Sequence, residues 1–215
     1  FCIDRAGLVG EDGVTHHGAF DLAYLQCVPN MTVASPINAA DLRNLMFTAQ
    51  YGNNGPFAIR YPRGKAPEKN WQTEMHILPI GKGRKLNEGE VVAVLSIGPI
   101  GNEVAKAVAQ AKELGYQVAH YDMIYLKPLD CDILQEVAER YKTVITVEDG
   151  TITGGMGTAV AAWMSTHGAN ITVRKIGIPD RFIKQGSPEE LYAECGINEQ
   201  TILQLIVEEF KKDRQ

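Results

Sequence analysis

The chain has 215 residues, which is room for one large domain or two of ordinary size. With 21 Lys and Arg against 26 Asp and Glu, its formal charge of −5 argues against a general nucleic-acid binder. Hydrophobic residues make up 45% of the chain, which excludes a fully disordered protein, and no apolar run approaches the roughly 20 residues of a membrane span.

The predicted elements of the first segment follow in chain order: one or two helical turns at residues 19–24, a strand at 31–34, a helix at 39–51, a break at 53–56 and a strand at 57–61. A glycine-rich polar stretch at residues 7–18 precedes them, and Asn38 or Ser35 is placed to cap the helix. Residues 64–72 are charged and non-periodic, which predicts a linker, and residues 80–89 predict a polar hairpin or loop.

The second unit alternates strands with helices, which predicts a doubly wound α/β domain. The first strand of this unit, at residues 91–97, is continuously apolar, which is typical of a parallel sheet covered on both faces. Asp130 is a plausible cap for the second helix. The predicted strands lie at residues 91–97, 116–121, 143–148 and 171–176, and the predicted helices at residues 102–114, 129–141, 158–166 and 199–212.

The cysteines favour a cytoplasmic protein with reduced thiols over a disulfide scaffold, a zinc site or a redox motif, because they lie far apart and form no C-x-x-C pair. They are Cys2, Cys27, Cys131 and Cys195. The opening residues, Phe1 to Ile3, lack an initiator Met and resemble a strand entered midway, so we expect a fragment of a longer protein.

Three segments are candidates for a functional site. The glycines at residues 154–157 open a helix, and they either bind a phosphate or let the helix pack tightly on the sheet. The packing interpretation is favoured because the segment matches neither of the glycine-rich nucleotide-binding motifs. Residues 4–18 hold an arginine, carboxylates and two histidines, which is either an acid/base or substrate-binding loop or a solvated surface loop. Arg60 and Arg63 end a strand and either bind phosphate or are simply solvated.

Two of these segments together resemble the transketolase-like, thiamin-diphosphate-dependent enzymes. The motifs are DRAGLVGEDGVTHHGAFDLAYL at residues 4–25, then VPNM at 28–31 and RYPRG at 60–64. The sequences VED at 147–149, GGMG at 154–157 and IPD at 178–180 are similar to the same family's C-terminal domain. The DRAG and RYPRG motifs point to the branch that condenses pyruvate with D-glyceraldehyde 3-phosphate, with loss of carbon dioxide.

The resemblance implies roles for individual residues. Arg5 and Arg63 would bind the substrate phosphate, and Asp12 and His16 would contact its hydroxyls and the reacting carbonyl oxygen. His17 stands where the family often has another polar residue and receives no role. Consecutive side chains of extended backbone point to opposite sides, so we expect only one of the two histidines to face the reacting atoms.

The resemblance covers nearly the whole chain and implies three parts: the C-terminal half of a pyrimidine-binding domain at residues 1–64, a linker and hairpin at 65–88, and a transketolase C-terminal domain at 89–215. The cofactors would be thiamin diphosphate and Mg²⁺. Their main ligands are expected upstream of Phe1, in the N-terminal part of the same protein, so the chain alone should not catalyse. The family also implies a homodimer.

Two alternatives stay open. One is another enzyme of the family, either transketolase itself or a 2-oxoacid dehydrogenase β subunit. The other is a non-catalytic binding or assembly module, although the four retained site residues argue against it.

Overall fold

The structure is a computed structural model that describes residues 1–52, 55–66 and 71–213. Residues 53–54 of the predicted break and 67–70 of the predicted linker lie outside the described residues. The elements are β1 (Cys2–Ile3), a 3₁₀ turn (Gly13–Thr15), α1 (Asp21–Leu25), β2 (Thr32–Ala34), α2 (Ala39–Tyr51), β3 (Phe57–Arg60), β4 (Arg84–Asn87), β5 (Val92–Ile97), α3 (Gly101–Glu113), β6 (Ala119–Asp122), β7 (Tyr125–Lys127), α4 (Cys131–Arg140), β8 (Thr143–Thr151), α5 (Met156–Thr166), β9 (Thr172–Ile178), α6 (Pro188–Glu194) and α7 (Glu199–Asp213).

The strands form two mostly parallel sheets with flanking helices, which confirms the predicted fold class. In the first sheet the order is β1-β3-β2-β7, and only β7 runs antiparallel to its neighbour. In the second sheet the order is β4-β6-β5-β8-β9, and only β4 is antiparallel. The carboxyl ends of parallel strands therefore gather at one edge of each sheet, where open α/β folds bind their ligands.

Successive side chains of β5 point to opposite faces of the second sheet, and every residue of this strand is buried. Val92 and Val94 face the cluster that includes apolar residues of α3 and α7. Ala93 and Leu95 face a second cluster with residues of α1, α4 and α5. The second sheet is therefore covered on both faces, as its continuous apolar strand predicts.

Two predicted caps are confirmed by their hydrogen bonds. The side chain of Asn38 accepts a hydrogen bond from the backbone N–H of Asp41 at 2.8 Å. Asp130 accepts hydrogen bonds from the backbone N–H groups of Asp132 and Ile133. Each carboxylate or amide oxygen satisfies donors that the first turn of a helix leaves unpaired.

The prediction of a polar hairpin or loop at residues 80–89 is wrong because it omits a strand. That stretch supplies the single strand β4, which pairs with β6 so that Lys85 lies opposite Tyr121. Sequence analysis also missed β7, which is three residues long and pairs with β2 of the first sheet. The predicted domain boundaries stay a prediction, but strand β7 carries part of the predicted second domain into the first sheet.

Sequence analysis also missed α6, although its start carries a recognisable signal. Ser187 and Glu190 form a reciprocal capping box, and Pro188 occupies the first helical position. Across the described ranges, every helix is too short or too polar to cross a membrane.

Candidate functional site

The glycine-rich stretch at residues 4–18 is a closed loop whose two ends are joined by backbone hydrogen bonds. The N–H of Gly18 donates to the carbonyl of Arg5 at 2.9 Å, and the N–H of Gly7 donates to the carbonyl of Gly18 at 3.0 Å. A Cβ atom on Gly18 would lie 2.2 Å from the Arg5 oxygen, so this close approach requires glycine. We refer to residues 4–18 as the glycine loop.

The glycine loop lies beside the RYPRG segment. The backbone N–H of Ala6 donates to the carbonyl of Tyr61 at 3.0 Å, directly after β3. The two segments that carry the predicted phosphate ligands are therefore neighbours in space, although about 55 positions separate them along the chain.

Arg5 and His16 line the same polar cleft of about 260 Å³, together with Asp21 and Tyr24. Arg5 has a φ of 61°, which is uncommon for a residue with a side chain. Its Nε is buried and has no hydrogen-bond partner among the described residues, while its Nη1 contacts Asp4. A buried donor without a partner is uncommon in a folded protein.

Arg63 and Asp12 form an ion pair at 2.5 Å in which both side chains are partly exposed, 55% and 36%. Arg63 lines a different, larger cleft of about 950 Å³ between the glycine loop, α3 and α6. The four predicted site residues thus fall into two pairs. The structure does not bring Arg5 and Arg63 into one cleft.

His17 ties the glycine loop to the segment that follows β9, a role that sequence analysis missed. Its Nδ1 accepts a hydrogen bond from the backbone N–H of Val9 at 3.1 Å, and its Nε2 lies 3.3 Å from the carbonyl oxygen of Lys184. These contacts select the tautomer that carries its proton on Nε2.

The assumption of extended backbone around the two histidines is wrong. Residues 13–15 form a 3₁₀ turn, and His16 has φ −121° and ψ −9°. His16 contacts Thr15 through its Nδ1 at 3.0 Å and is otherwise exposed, whereas His17 contacts backbone. The two side chains have different surroundings, but for a reason other than strand alternation.

Arg60 is neither solvated nor open to a phosphate, so both interpretations of it are wrong. Its side chain is completely buried and forms ion pairs with Asp21 and Asp149. Burial raises the pKa of the Asp21 carboxyl, although the Arg60 guanidinium opposes that shift. The sequence pattern could not reveal this, because both carboxylates lie far from Arg60 in the chain.

The glycines at residues 154–157 do not form an open phosphate site. The carboxylate of Glu148 accepts hydrogen bonds from the backbone N–H groups of Met156 at 2.8 Å and Gly157 at 2.9 Å. A Cβ on Gly155 would lie 2.1 Å from Glu148 Oε2. The favoured interpretation as a packing feature is confirmed, since a side chain of the protein already occupies this helix N-terminus.

Burial raises the pKa of Glu148 to about 7, and the two backbone hydrogen bonds oppose that rise.

No group of three or more His, Cys, Asp and Glu side chains that could hold a metal ion converges within the part of the chain that the structure describes.

Two family models match the sequence and together span most of it. The transketolase pyrimidine-binding domain matches residues 1–69, and the transketolase C-terminal domain matches residues 81–202. The chain belongs to the transketolase family.

Among the curated relatives of this transketolase-family chain is the 1-deoxy-D-xylulose-5-phosphate synthase of Parabacteroides distasonis, 56% identical over 97% of this chain and 33% of the relative. The synthase of Bacteroides thetaiotaomicron is 53% identical over 94% of this chain and 31% of the relative. The chain therefore spans about a third of the length of the curated relatives that it matches.

A solved structure shares the fold of both sheets. It is described as a split gene transketolase, inactive beta4 tetramer, and superimposes with a TM-score of 0.83 at 28% identity. The match covers 98% of this chain and 65% of the other, so the transketolase fold extends over both parts of the chain.

Proposed function

We propose that the protein carrying this chain is a 1-deoxy-D-xylulose-5-phosphate synthase, which condenses pyruvate with D-glyceraldehyde 3-phosphate and releases carbon dioxide. The observation that carries the proposal is the identity of 56% and 53%, over nearly the whole chain, with two relatives of that name. The product would serve the synthesis of isoprenoid precursors and of thiamin.

In this proposal Arg5 and Arg63 bind the phosphate of glyceraldehyde 3-phosphate. Arginine suits this ligand because its planar guanidinium offers several donors to phosphate oxygens. Arg63 is paired with Asp12 at a partly exposed position, where an ion pair contributes little and opens easily. When a phosphate binds Arg63 in place of Asp12, the Asp12 carboxylate is free to accept a hydrogen bond from a substrate hydroxyl. Because the two arginines line different clefts, both would have to turn toward the same phosphate.

His16 contacts the reacting carbonyl oxygen in this proposal. Its Nδ1 is 3.0 Å from the Thr15 hydroxyl, so a hydroxyl that donates to Nδ1 leaves the proton on Nε2. That N–H is then free to donate to an oxygen on which negative charge develops, since His16 is exposed at the cleft.

Thiamin diphosphate, when bound, supplies the carbon nucleophile and the electron sink of the reaction. The described residues contain no group of three or more His, Cys, Asp and Glu side chains that could hold a metal ion. In this proposal the metal and the diphosphate are held by the rest of the same protein. We infer that this N-terminal part is the partner that completes the site, that the complete enzyme is a cytoplasmic homodimer, and that the 215-residue chain alone is inactive.

The test is an assay of the complete protein with pyruvate and glyceraldehyde 3-phosphate, in which carbon dioxide and 1-deoxy-D-xylulose 5-phosphate are measured together. Equal amounts of both support the proposal. Activity with a ketose phosphate donor in place of pyruvate would identify a transketolase instead. Transfer of the two-carbon unit only to a lipoyl group would identify a 2-oxoacid dehydrogenase component.

A further inference from the structure

Arg60 joins three separate parts of the molecule although its side chain is completely buried. Its Nε donates to Asp21 Oδ1 at 2.6 Å, at the start of α1. Its Nη2 donates to the carbonyl of Gly18 at 2.9 Å and to the carbonyl of Asp149 at 3.2 Å, and its Nη1 donates to Asp149 Oδ1. These contacts use all three guanidinium nitrogens.

The three parts border the candidate site. Gly18 is the last residue of the glycine loop, which carries Asp12 and His16. Arg63 follows Arg60 by three residues, so the same backbone segment bears the other predicted phosphate ligand. Asp149 lies in β8, and therefore Arg60 also connects the loop to the second sheet.

Stability alone does not account for a buried arginine at this place. A buried ion pair must recover the loss of hydration of both charges, and well-packed apolar residues often serve as well. Directional hydrogen bonds, in contrast, fix the relative positions of the groups that they join. A lysine would keep the charge, but its single nitrogen lacks the planar fork that reaches Asp21, Gly18 and Asp149 together.

We propose that Arg60 is a positioning residue for the candidate site. By holding the Gly18 carbonyl and the two carboxylates at once, it fixes the glycine loop, and with it His16 and Asp12, relative to Arg63. The inference about the loop rests on the geometry, and its consequence for catalysis rests on the proposed function.

Arg84 offers a control for the substitution Arg60→Lys. It also joins two carboxylates from different elements, Asp41 of α2 and Asp122 of β6, and neither belongs to the glycine loop. Its side chain is 37% exposed whereas that of Arg60 is completely buried, so Arg84→Lys weakens a more solvated ion-pair network elsewhere in the fold.

Hydrogen exchange, followed by mass spectrometry of the complete protein, tests the geometric part. Arg60→Lys should speed exchange of peptides from residues 5–18 by about tenfold or more, and Arg84→Lys should leave them near wild type. A general destabilisation would speed exchange throughout the protein in both variants. Equal effects of the two variants on the loop, or no effect of Arg60→Lys, would overturn the proposal.

Steady-state kinetics test the catalytic part. Arg60→Lys should raise KM for glyceraldehyde 3-phosphate and lower kcat, whereas Arg84→Lys should keep both constants within about twofold of their wild-type values. If wild type makes no 1-deoxy-D-xylulose 5-phosphate, the proposed function fails while the exchange result still decides the loop geometry.

A second variant covers the case in which Arg60→Lys does not fold. Asp149→Asn keeps the carbonyl contact, removes one buried charge and leaves Arg60 paired with Asp21. It should speed exchange of the glycine loop in the same direction but less. Unchanged exchange in a folded Asp149→Asn protein would then refute the positioning role.

Discussion

Relative to wild type, Glu148→Gln should gain roughly 2–3 kcal/mol of stability between pH 5 and pH 8. Glu148 is fully buried, and burial raises its pKa to about 7 from an ordinary value of 4.5. The folded protein therefore holds this proton more tightly than the unfolded chain. The stability that the protonated carboxyl contributes is complete below pH 4.5 and is lost as the pH rises through about 7.

The size of the effect follows from the two pKa values. At about 1.4 kcal/mol for each pH unit, the difference between 4.5 and about 7 corresponds to ~3 kcal/mol at pH 8. Glutamine cannot ionise, so the variant avoids this loss. Its Nε2 cannot accept a hydrogen bond, however, so one of the backbone N–H groups of Met156 and Gly157 loses its acceptor, which lowers the stability of the variant at both pH values. Most wild-type molecules are protonated at Glu148 at pH 5, so the variant should be less stable than wild type there and should gain on it as the pH rises to 8.

Urea denaturation of both proteins at pH 5 and pH 8, followed by circular dichroism, measures the difference directly. Glu208→Gln, on the exposed face of α7, is the control and should change the free energy of unfolding by less than about 0.5 kcal/mol at either pH. A difference in stability between the two proteins that is the same at pH 5 and pH 8 would refute the reasoning, because it would mean that folding leaves the pKa of Glu148 near 4.5.

Four further predictions concern the candidate site and the fold. In the complete enzyme, Arg63→Ala should raise KM for glyceraldehyde 3-phosphate by about 10- to 100-fold, because a charge-assisted contact contributes roughly 1.5–3 kcal/mol, and an equal rise in KM for pyruvate would contradict the assigned role. His16→Ala should lower kcat by about 10²- to 10⁴-fold with an unchanged melting temperature. His17→Gln should keep kcat within a few-fold of wild type, since the glutamine amide retains an acceptor and a donor for the backbone contacts. A larger fall in kcat for His17→Gln than for His16→Ala would show that the motif is placed one residue off. Asp130→Ala should lower the free energy of unfolding by about 1–3 kcal/mol through loss of the α4 cap and of the hydrogen bond from the backbone N–H of Gly83, and a change below about 0.3 kcal/mol in urea denaturation would show that solvent replaces these contacts.

Local sequence signals predicted the long, regular elements well. Helix α2 lies at the predicted residues, and β5 begins one residue after its predicted start. Both are long enough for their periodicity to stand out. Strand β7 has only three residues and obtains its place from pairing with β2, which no local pattern records.

In the candidate site, too, local sequence motifs were predictive and contacts between distant residues were not. The motifs located the glycine loop and the RYPRG segment, and the fold places them side by side. Arg60 and Arg63 look alike in the sequence, yet one is completely buried and the other is half exposed. The difference arises from Asp21 and Asp149, which are 39 and 89 positions away from Arg60. The contact with Asp149 of β8 exists only after the two sheets have come together.

The pairing of β7 with β2 has a consequence for any attempt to dissect the molecule. A cut near residue 88 would remove β7 and leave Val33 and Ala34 on an open strand with unpaired backbone groups. The same cut would separate β4 from β6. The two halves are interlocked in this way, and we expect them to unfold in one cooperative step. Neither half alone would be a sound unit for recombinant expression.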